Sequence, residues 1–214
     1  MKNKTSLTKD AILKDPYNYT LKEMKDCLGE EMATDFFESL YKNKPKIQNQ
    51  TVKIKEVFNG KDTLKYAFEL SDGYCIETVC IKRKTGITVC VSTMVGCPVG
   101  CIFCASGKNG FIRNLSSSEI VQQIVLLKEK VNRIVFMGMG EPLLNYGEVI
   151  KAIHILRDRD GLNFPTDGIT ISTVGPINQL KKLREEHLKI QLTLSLHATS
   201  QVKRDKVMPH MRGN

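Results

Sequence analysis

Between Thr88 and His197 the chain repeats one pattern: an apolar run of strand length, then a segment long enough for a helix. The runs are TVCVST (88–93), RIVFMGM (133–139), GITISTV (168–174) and IQLTLSLH (190–197). Strands that alternate with helices build a parallel sheet, because a parallel pair needs a crossover connection. Segments near 116–130, 147–157 and 176–187 are the helix candidates, and the first opens on serines with Glu119 placed to complete a cap. About seventeen residues run from Ala198 to the last, too few for a further βα unit. The sequence therefore predicts four parallel strands, with an unpaired apolar edge on the last unless a partner or further chain covers it.

Upstream, the period changes to two. TVKIKEVF, the turn Asn59-Gly60, KYAFEL, the turn Asp72-Gly73 and YCIETVCIKR read as an antiparallel meander over 51–84. Residues 1–46 read as polar helices with apolar stripes through Leu21, Met24, Cys27 and Leu28, and through Phe36, Phe37, Leu40 and Tyr41. Lys42, Lys44 and Lys46 around Pro45 form a basic linker. The expected organisation is a helical accessory region (1–46), a β meander (51–84) and an α/β core (88–214) that stops short of a closed barrel.

Composition excludes several classes. With 41% hydrophobic and 26% charged residues in 214, the chain is globular and not collagen-like, mucin-like or wholly disordered. No apolar run reaches the roughly 18 residues of a membrane span. The start, MKNKTSLTKD, has no apolar signal core, so a cytoplasmic protein without a membrane partner is expected. The net charge of +9 favours a polyanionic partner. Seven cysteines without a secretion signal point to metal or redox chemistry instead of disulfides.

Cys97, Cys101 and Cys104 follow the first core strand with spacing Cys-x3-Cys-x2-Cys. Three thiolates on one short loop can hold three irons of a four-iron cluster and leave the fourth open to a small molecule. A zinc site would need a fourth ligand, Cys90 or a distant histidine, and three thiols without metal are the remaining alternative. Glycines at 96, 100, 107 and 110 let the loop wrap closely, as they would in a zinc knuckle.

Further candidates sit at strand ends, where open α/β folds collect ligands. Gly140 and Glu141, in Gly-Met-Gly-Glu-Pro, could admit a ligand and meet a cation, or simply form a turn. Ser172 ends the third run and Ser195-Leu196-His197 the fourth; hydroxyls and imidazole there can bond ribose and carboxylate oxygens, or cap and pack. Cys90 reads as a packed strand thiol and Glu77 as a solvent-facing strand glutamate. Cys27, Cys75 and Cys80 read as small apolar fillers. Lys42, Lys44, Lys46, Lys53, Lys55, Lys82, Arg83, Lys84, Lys108 and Arg113 suit phosphate contacts or a solvated basic face.

Cys97, Cys101 and Cys104, with Phe103 before the last, resemble the radical S-adenosylmethionine (SAM) signature. The run VCVSTMVGCPVGCIFCASGKNGFIRNL, followed in order by MGMGEPLLN, ITISTVG and LSLHA, resembles the RlmN and Cfr branch, methylases acting at adenosine carbons in RNA. The match runs from about Cys75 to Pro209. The resemblance implies a partial (β/α) barrel with active-site groups on strand carboxyl ends, and a 4Fe-4S cluster on Cys97, Cys101 and Cys104. It implies SAM on Gly140, Glu141, Ser172, Ser195, Leu196 and His197, a reductant protein, and rRNA as substrate with tRNA as a second. It makes Cys90 the second mechanistic thiol, acting in proton removal and release of a protein–RNA adduct, and Glu77 the proton acceptor. C2 is the expected target carbon and C8 the nearest alternative.

In that branch a radical made from one SAM takes hydrogen from a methyl group carried on a cysteine near the carboxyl end, and the resulting carbon adds to the base. No cysteine follows Cys104, a later cofactor-contacting asparagine is absent, and Met94 stands where related proteins often have Gln. The sequence is therefore read as a fragment or truncated reading frame that does not complete methyl transfer by itself. The alternatives are a noncatalytic RNA- or zinc-binding remnant, and a radical SAM enzyme with another substrate.

Overall fold

The computed structural model describes residues 7–43, 50–108 and 110–211; Lys44, Pro45 and Lys46 lie outside them. Helices α1 (Lys9–Lys14), α2 (Leu21–Leu28) and α3 (Glu30–Glu38) come first. Strands β1 (Val52–Asn59), β2 (Thr63–Leu70), β3 (Cys75–Arg83) and β4 (Gly86–Cys90) follow, each antiparallel to the last. Next come β5 (Met94–Gly96), the short helix α4 (Ala105–Lys108) and β6 (Phe111–Asn114). The rest is α5 (Ser117–Val125), β7 (Val131–Phe136), α6 (Tyr146–Arg157), β8 (Ile169–Thr173), α7 (Ile177–Glu185), β9 (Gln191–Leu194) and α8 (Gln201–Val207).

The main sheet has seven strands in the order β1-β2-β3-β4-β7-β8-β9. β4, β7, β8 and β9 are the four expected parallel strands, and the fold is a mixed α/β partial barrel. The meander is not a separate sheet: β3 pairs with β4 from Val79 opposite Cys90 to Arg83 opposite Gly86, so the antiparallel and parallel halves share β4. Met94–Gly96 and Phe111–Asn114 form a separate two-stranded hairpin. Three or four residues per strand leave too short an alternation to read from sequence.

β2 buries Leu64, Tyr66, Phe68 and Leu70, β3 buries Ile76, Thr78 and Cys80, and β8 buries Ile169, Ile171 and Thr173. This period of two puts one sheet face against the helices and leaves the other for polar residues. α5 is buried along its whole length, including Gln122 and Gln123, because the amino-terminal region covers its outer side. Ser117 donates to Asn18 Oδ1 at 2.7 Å, and Ser118 donates to Asp15. α2 is tied to α6 by Lys151 Nζ on Glu23 Oε1 at 2.9 Å. Both expected stripes are buried at Leu21, Met24, Phe37, Leu40 and Tyr41. The Ser116–Glu119 capping box starts α5 where the sequence placed it, but the helix ends at Val125 and not near 130.

β9 is the last strand of the sheet among the described residues. Gln191, Leu192, Thr193 and Leu194 are all exposed. The filler reading of three cysteines holds for Cys80, which is buried, while Cys27 is half-buried. It fails for Cys75, exposed with its Sγ 3.7 Å from Lys55 Nζ. Alternation along β3 is the reason, since Ile76 takes the buried face and turns Cys75 to the other.

The first strand run breaks after Cys90, and Gln123 on α5 takes over there. Its Oε1 accepts from Thr78 Oγ1 and Ser92 N, both at 2.8 Å, and its Nε2 donates to Ser92 O at 2.9 Å and Glu119 O at 3.2 Å. Gln123→Leu keeps the volume but strands the Thr78 hydroxyl and the Ser92 N–H in the core. A loss of about 2–4 kcal/mol in urea denaturation is expected, each buried unsatisfied group costing about 1–3 kcal/mol.

Candidate functional site

Residues paired across neighbouring strands point to one face. Val79 lies opposite Cys90, Cys90 opposite Val135 and Val135 opposite Thr170. Glu77 shares this face two residues along β3, and Ser172 shares it two residues along β8. The face away from the helices thus carries Glu77, Cys90 and Ser172 on three different strands. Glu77 is exposed, its Oε1 accepting from Lys65 Nζ at 2.9 Å across the β2–β3 pair. Cys90 is half-buried; burial raises its pKa and a backbone hydrogen bond from Met137 opposes the rise.

The cysteine loop runs between β5 and β6. Its mouth closes through Cys97 N on Gly110 O at 3.0 Å, an approach that admits only glycine at 96, where a Cβ would meet Gly110 O at 1.9 Å. Cys101 is buried and Cys97 and Cys104 are half-buried, all in one apolar cluster with Val99, Val174, Met208 and Met211. The crown of the loop is held from the far end of the chain. Ile102 N donates to Val207 O at 3.1 Å, His210 Nδ1 lies 3.0 Å from Pro98 O, and Gly100 is backed by the His210 ring. The Phe103 and His197 rings meet at 4.8 Å, joining the loop to the segment after β9. Burial pushes Cys97 up to about 11, a backbone hydrogen bond from Val99 opposes this, and Cys101 and Cys104 nearby add to it.

Glu141 follows β7 and is buried. Its Oε1 accepts from Thr173 Oγ1 at 2.6 Å and Leu143 N at 3.0 Å, and its Oε2 accepts from Val174 N at 2.9 Å. Burial raises its pKa and these three donors pull against the rise. The carboxylate takes no ion pair among the described residues, and Oε2 keeps a lone pair free. Gly138 and Gly140 pass close to the segment that follows β4. A Cβ at Gly138 would meet Ser92 Oγ at 2.7 Å, and one at Gly140 would meet Met94 Cβ at 2.7 Å. Ser172 Oγ and Ser195 Oγ lie 3.1 Å apart at the ends of β8 and β9, and Leu196 and His197 beyond them are exposed.

Residues 91–212, more than half of the chain, match the model of the radical SAM superfamily. The chain belongs to that superfamily. A radical SAM methyltransferase from Sphaerobacter thermophilus has a similar structure, with TM-score 0.85 and 30% identity over 90% of this chain and 66% of the other. The chain is 60% identical over 153 residues to a probable RNA methyltransferase of Rhodopseudomonas palustris (strain BisB5), covering 72% of this chain and 43% of that protein. It is 47% identical over 167 residues to a probable dual-specificity RNA methyltransferase RlmN of Pseudothermotoga lettingae, covering 76% and 49%. The chain spans about half the length of the curated relatives it matches.

The donor set fits the cluster and SAM that the superfamily uses. Three soft thiols share one glycine-shaped loop, and a buried carboxylate, Glu141, lies close enough to raise the pKa of Cys97. Among the described residues no three His, Cys, Asp or Glu side chains converge where one metal ion would be held. A cubane asks for less convergence, since each cysteine binds a different iron.

The basic residues are less uniform than the sequence implied. Lys42 pairs with Glu38, Lys55 with Glu69, and Arg113 with Asp72 and Glu119. Lys53, Lys82, Arg83, Lys84 and Lys108 are exposed, but Lys82, Arg83 and Lys84 stand at the amino end of β4, opposite the cysteine loop. No described helix is long and apolar enough to cross a membrane. Sequence reading missed Thr173, which holds Glu141, and the Met208–Met211 segment that backs the loop. ISTVG carried a signal for Thr173, whereas nothing local marks Met208 or His210.

Thiols held protonated by burial must give up protons to bind iron. Anaerobic loading with iron and sulfide is expected to release protons and to run faster as pH rises toward the Cys97 value. Stopped-flow absorbance with a pH indicator checks both.

Proposed function

We propose that the chain is the radical SAM part of an RNA methyltransferase of the RlmN type, directed at adenosine C2 in rRNA, with tRNA as a second substrate, in the cytoplasm. The observation that carries the reading is the open sheet face. Cys90, Glu77 and Ser172 share that face, and the cysteine loop lies in the connection that leaves the carboxyl end of β4. The names borne by the Rhodopseudomonas and Pseudothermotoga relatives support the RNA substrate and the methyl transfer.

When bound and reduced, the cluster on Cys97, Cys101 and Cys104 supplies the electron that cleaves SAM. Glu141 Oε2 uses its free lone pair to accept from the SAM ammonium, while Thr173, Leu143 and Val174 hold the carboxylate still. Ser172 and Ser195 offer hydroxyls to ribose or carboxylate oxygens, with Leu196 and His197 beside them. Cys90 on the same face is the second mechanistic thiol, acting in proton removal and in release of the protein–RNA adduct. Glu77, held by Lys65, is the proton acceptor. An adenosine must leave its stack to reach such a face, and exposed lysines such as Lys53 and Lys108 hold phosphates without reading bases.

The reconstituted chain under reductant is expected to bind about four irons and to convert SAM to 5′-deoxyadenosine and methionine. Glu141→Gln is expected to weaken SAM binding by about tenfold, a hydrogen bond to a charged group being worth about 1.5–3 kcal/mol. Calorimetry on the reconstituted variant measures that loss, and SAM affinity equal to the parent's would remove Glu141 from the cofactor.

For the substrate, a chimera joins this chain to those residues of the Pseudothermotoga relative that it does not match. Incubated with rRNA, the chimera is expected to yield 2-methyladenosine in a nucleoside digest. Finding 8-methyladenosine would move the target to C8. One tightly held zinc and no SAM cleavage would favour a noncatalytic remnant.

A further inference from the structure

The cysteine loop is carried by a hairpin that belongs to no larger sheet. Among the described residues β5 and β6 pair only with each other, at Met94 with Asn114, Val95 with Arg113 and Gly96 with Phe111. A two-stranded hairpin is marginal by itself. Backbone bonds tie its base to the segment after β7 through Thr93 N and Met94 N on Met139 O, at 2.8 and 3.2 Å. On β6 itself Phe111 and Ile112 are exposed, and its side-chain hold on the rest of the protein is Arg113.

We propose that Arg113 is a positioning residue for the iron–sulfur site, fixing the mouth of the cysteine loop between α5 and the β2–β3 turn. Its Nη1 and Nη2 each donate at 2.8 Å to the two carboxylate oxygens of Glu119, a fork that matches a carboxylate bidentately. Nε donates to Asp72 Oδ2 at 2.6 Å, and Nη1 also reaches Asn114 O at 3.0 Å.

Both partners are themselves fixed. The Glu119 side chain is only 7% exposed and its Oε2 also accepts from Ser116 N at 2.9 Å, inside the capping box of a helix buried on all sides. Asp72 sits in the turn that leads into β3, the strand bearing Glu77, and its Oδ1 accepts from Tyr74 N at 3.3 Å. Arg113 therefore joins β6 both to the helix that follows it and to a turn forty-one positions upstream. Because it faces Val95 across the hairpin, a shift at Arg113 moves the backbone that leads directly into Cys97. The exposed, basic character that would suit an RNA contact is absent here, since all three guanidinium nitrogens are engaged within the fold.

The inference rests on the superfamily's cluster and not on the RNA substrate. The test uses the reconstituted chain, following iron release to a chelator and the electron paramagnetic resonance (EPR) spectrum of the reduced cluster. Arg113→Ala is expected to release iron about tenfold faster, the usual scale for losing a residue that orients metal ligands. Arg113→Lys, which keeps charge but lacks the fork, and Asp72→Asn are expected to fall between it and the parent, each with a shifted EPR signal. Lys151→Ala, which breaks the α2–α6 ion pair, is the control and should change neither readout.

Parent-like iron release and spectra in Arg113→Lys and Asp72→Asn would overturn the proposal, as would equal acceleration by Lys151→Ala. These two variants decide the matter if Arg113→Ala does not fold. A parent protein that takes up no iron would refute the cluster assignment itself, a result distinct from failure of Arg113.

Discussion

β4 is paired on both edges by ladders of opposite sense, and the rest of the molecule depends on that double pairing. On one side it runs antiparallel to β3, on the other parallel to β7. An antiparallel neighbour can arrive by a tight turn, whereas a parallel one needs a crossover, here the hairpin and α5. The crossover leaves from the carboxyl end of β4, and the cysteine loop is built into it. The same ladder sets the parity that turns Cys90 toward the open face and Val89 toward the helices.

Polar side chains hold the junction around that exit. Gln123 engages Thr78 and Ser92, while Asn145 donates to Thr93 O and Leu115 O, both at 2.8 Å. Ser92 Oγ donates to Glu77 O at 2.6 Å and accepts from Met139 N at 3.0 Å. Backbone that leaves a ladder inside a protein must find such partners, because an unpaired buried amide is costly. These bonds bring the ends of β3, β4 and β7 together beneath the cysteine loop. Gly138 and Gly140 serve the same junction, giving up side chains so that Val91–Met94 can pass close by.

Much of this architecture is legible in the chain itself. The four apolar runs, the period-two meander and the Ser116–Glu119 cap are local signals, and local signals survive folding when packing agrees with them. The thiol spacing is equally local. Arg113 was read as one of ten basic residues, and its partners, Glu119 six positions away and Asp72 forty-one away, could not be inferred from charge alone. Cys75 and Cys80 looked alike in sequence, and only the parity of β3 separates an exposed thiol from a buried one.

The sequence by itself determined the strand and helix order, the parallel half of the sheet, the three-cysteine loop and the superfamily to which these belong. Periodicity and spacing encode those features within a few residues. Tertiary structure decided that the meander extends the same sheet and that Glu141 is a buried carboxylate with no cation partner among the described residues. It also decided that Met208 and His210 brace the loop from the far end of the chain, and that Arg113 pairs with Asp72 and Glu119. Each of these depends on which surfaces meet across long sequence separations, and that is fixed by packing and hydrogen-bond satisfaction in three dimensions, not by any local pattern.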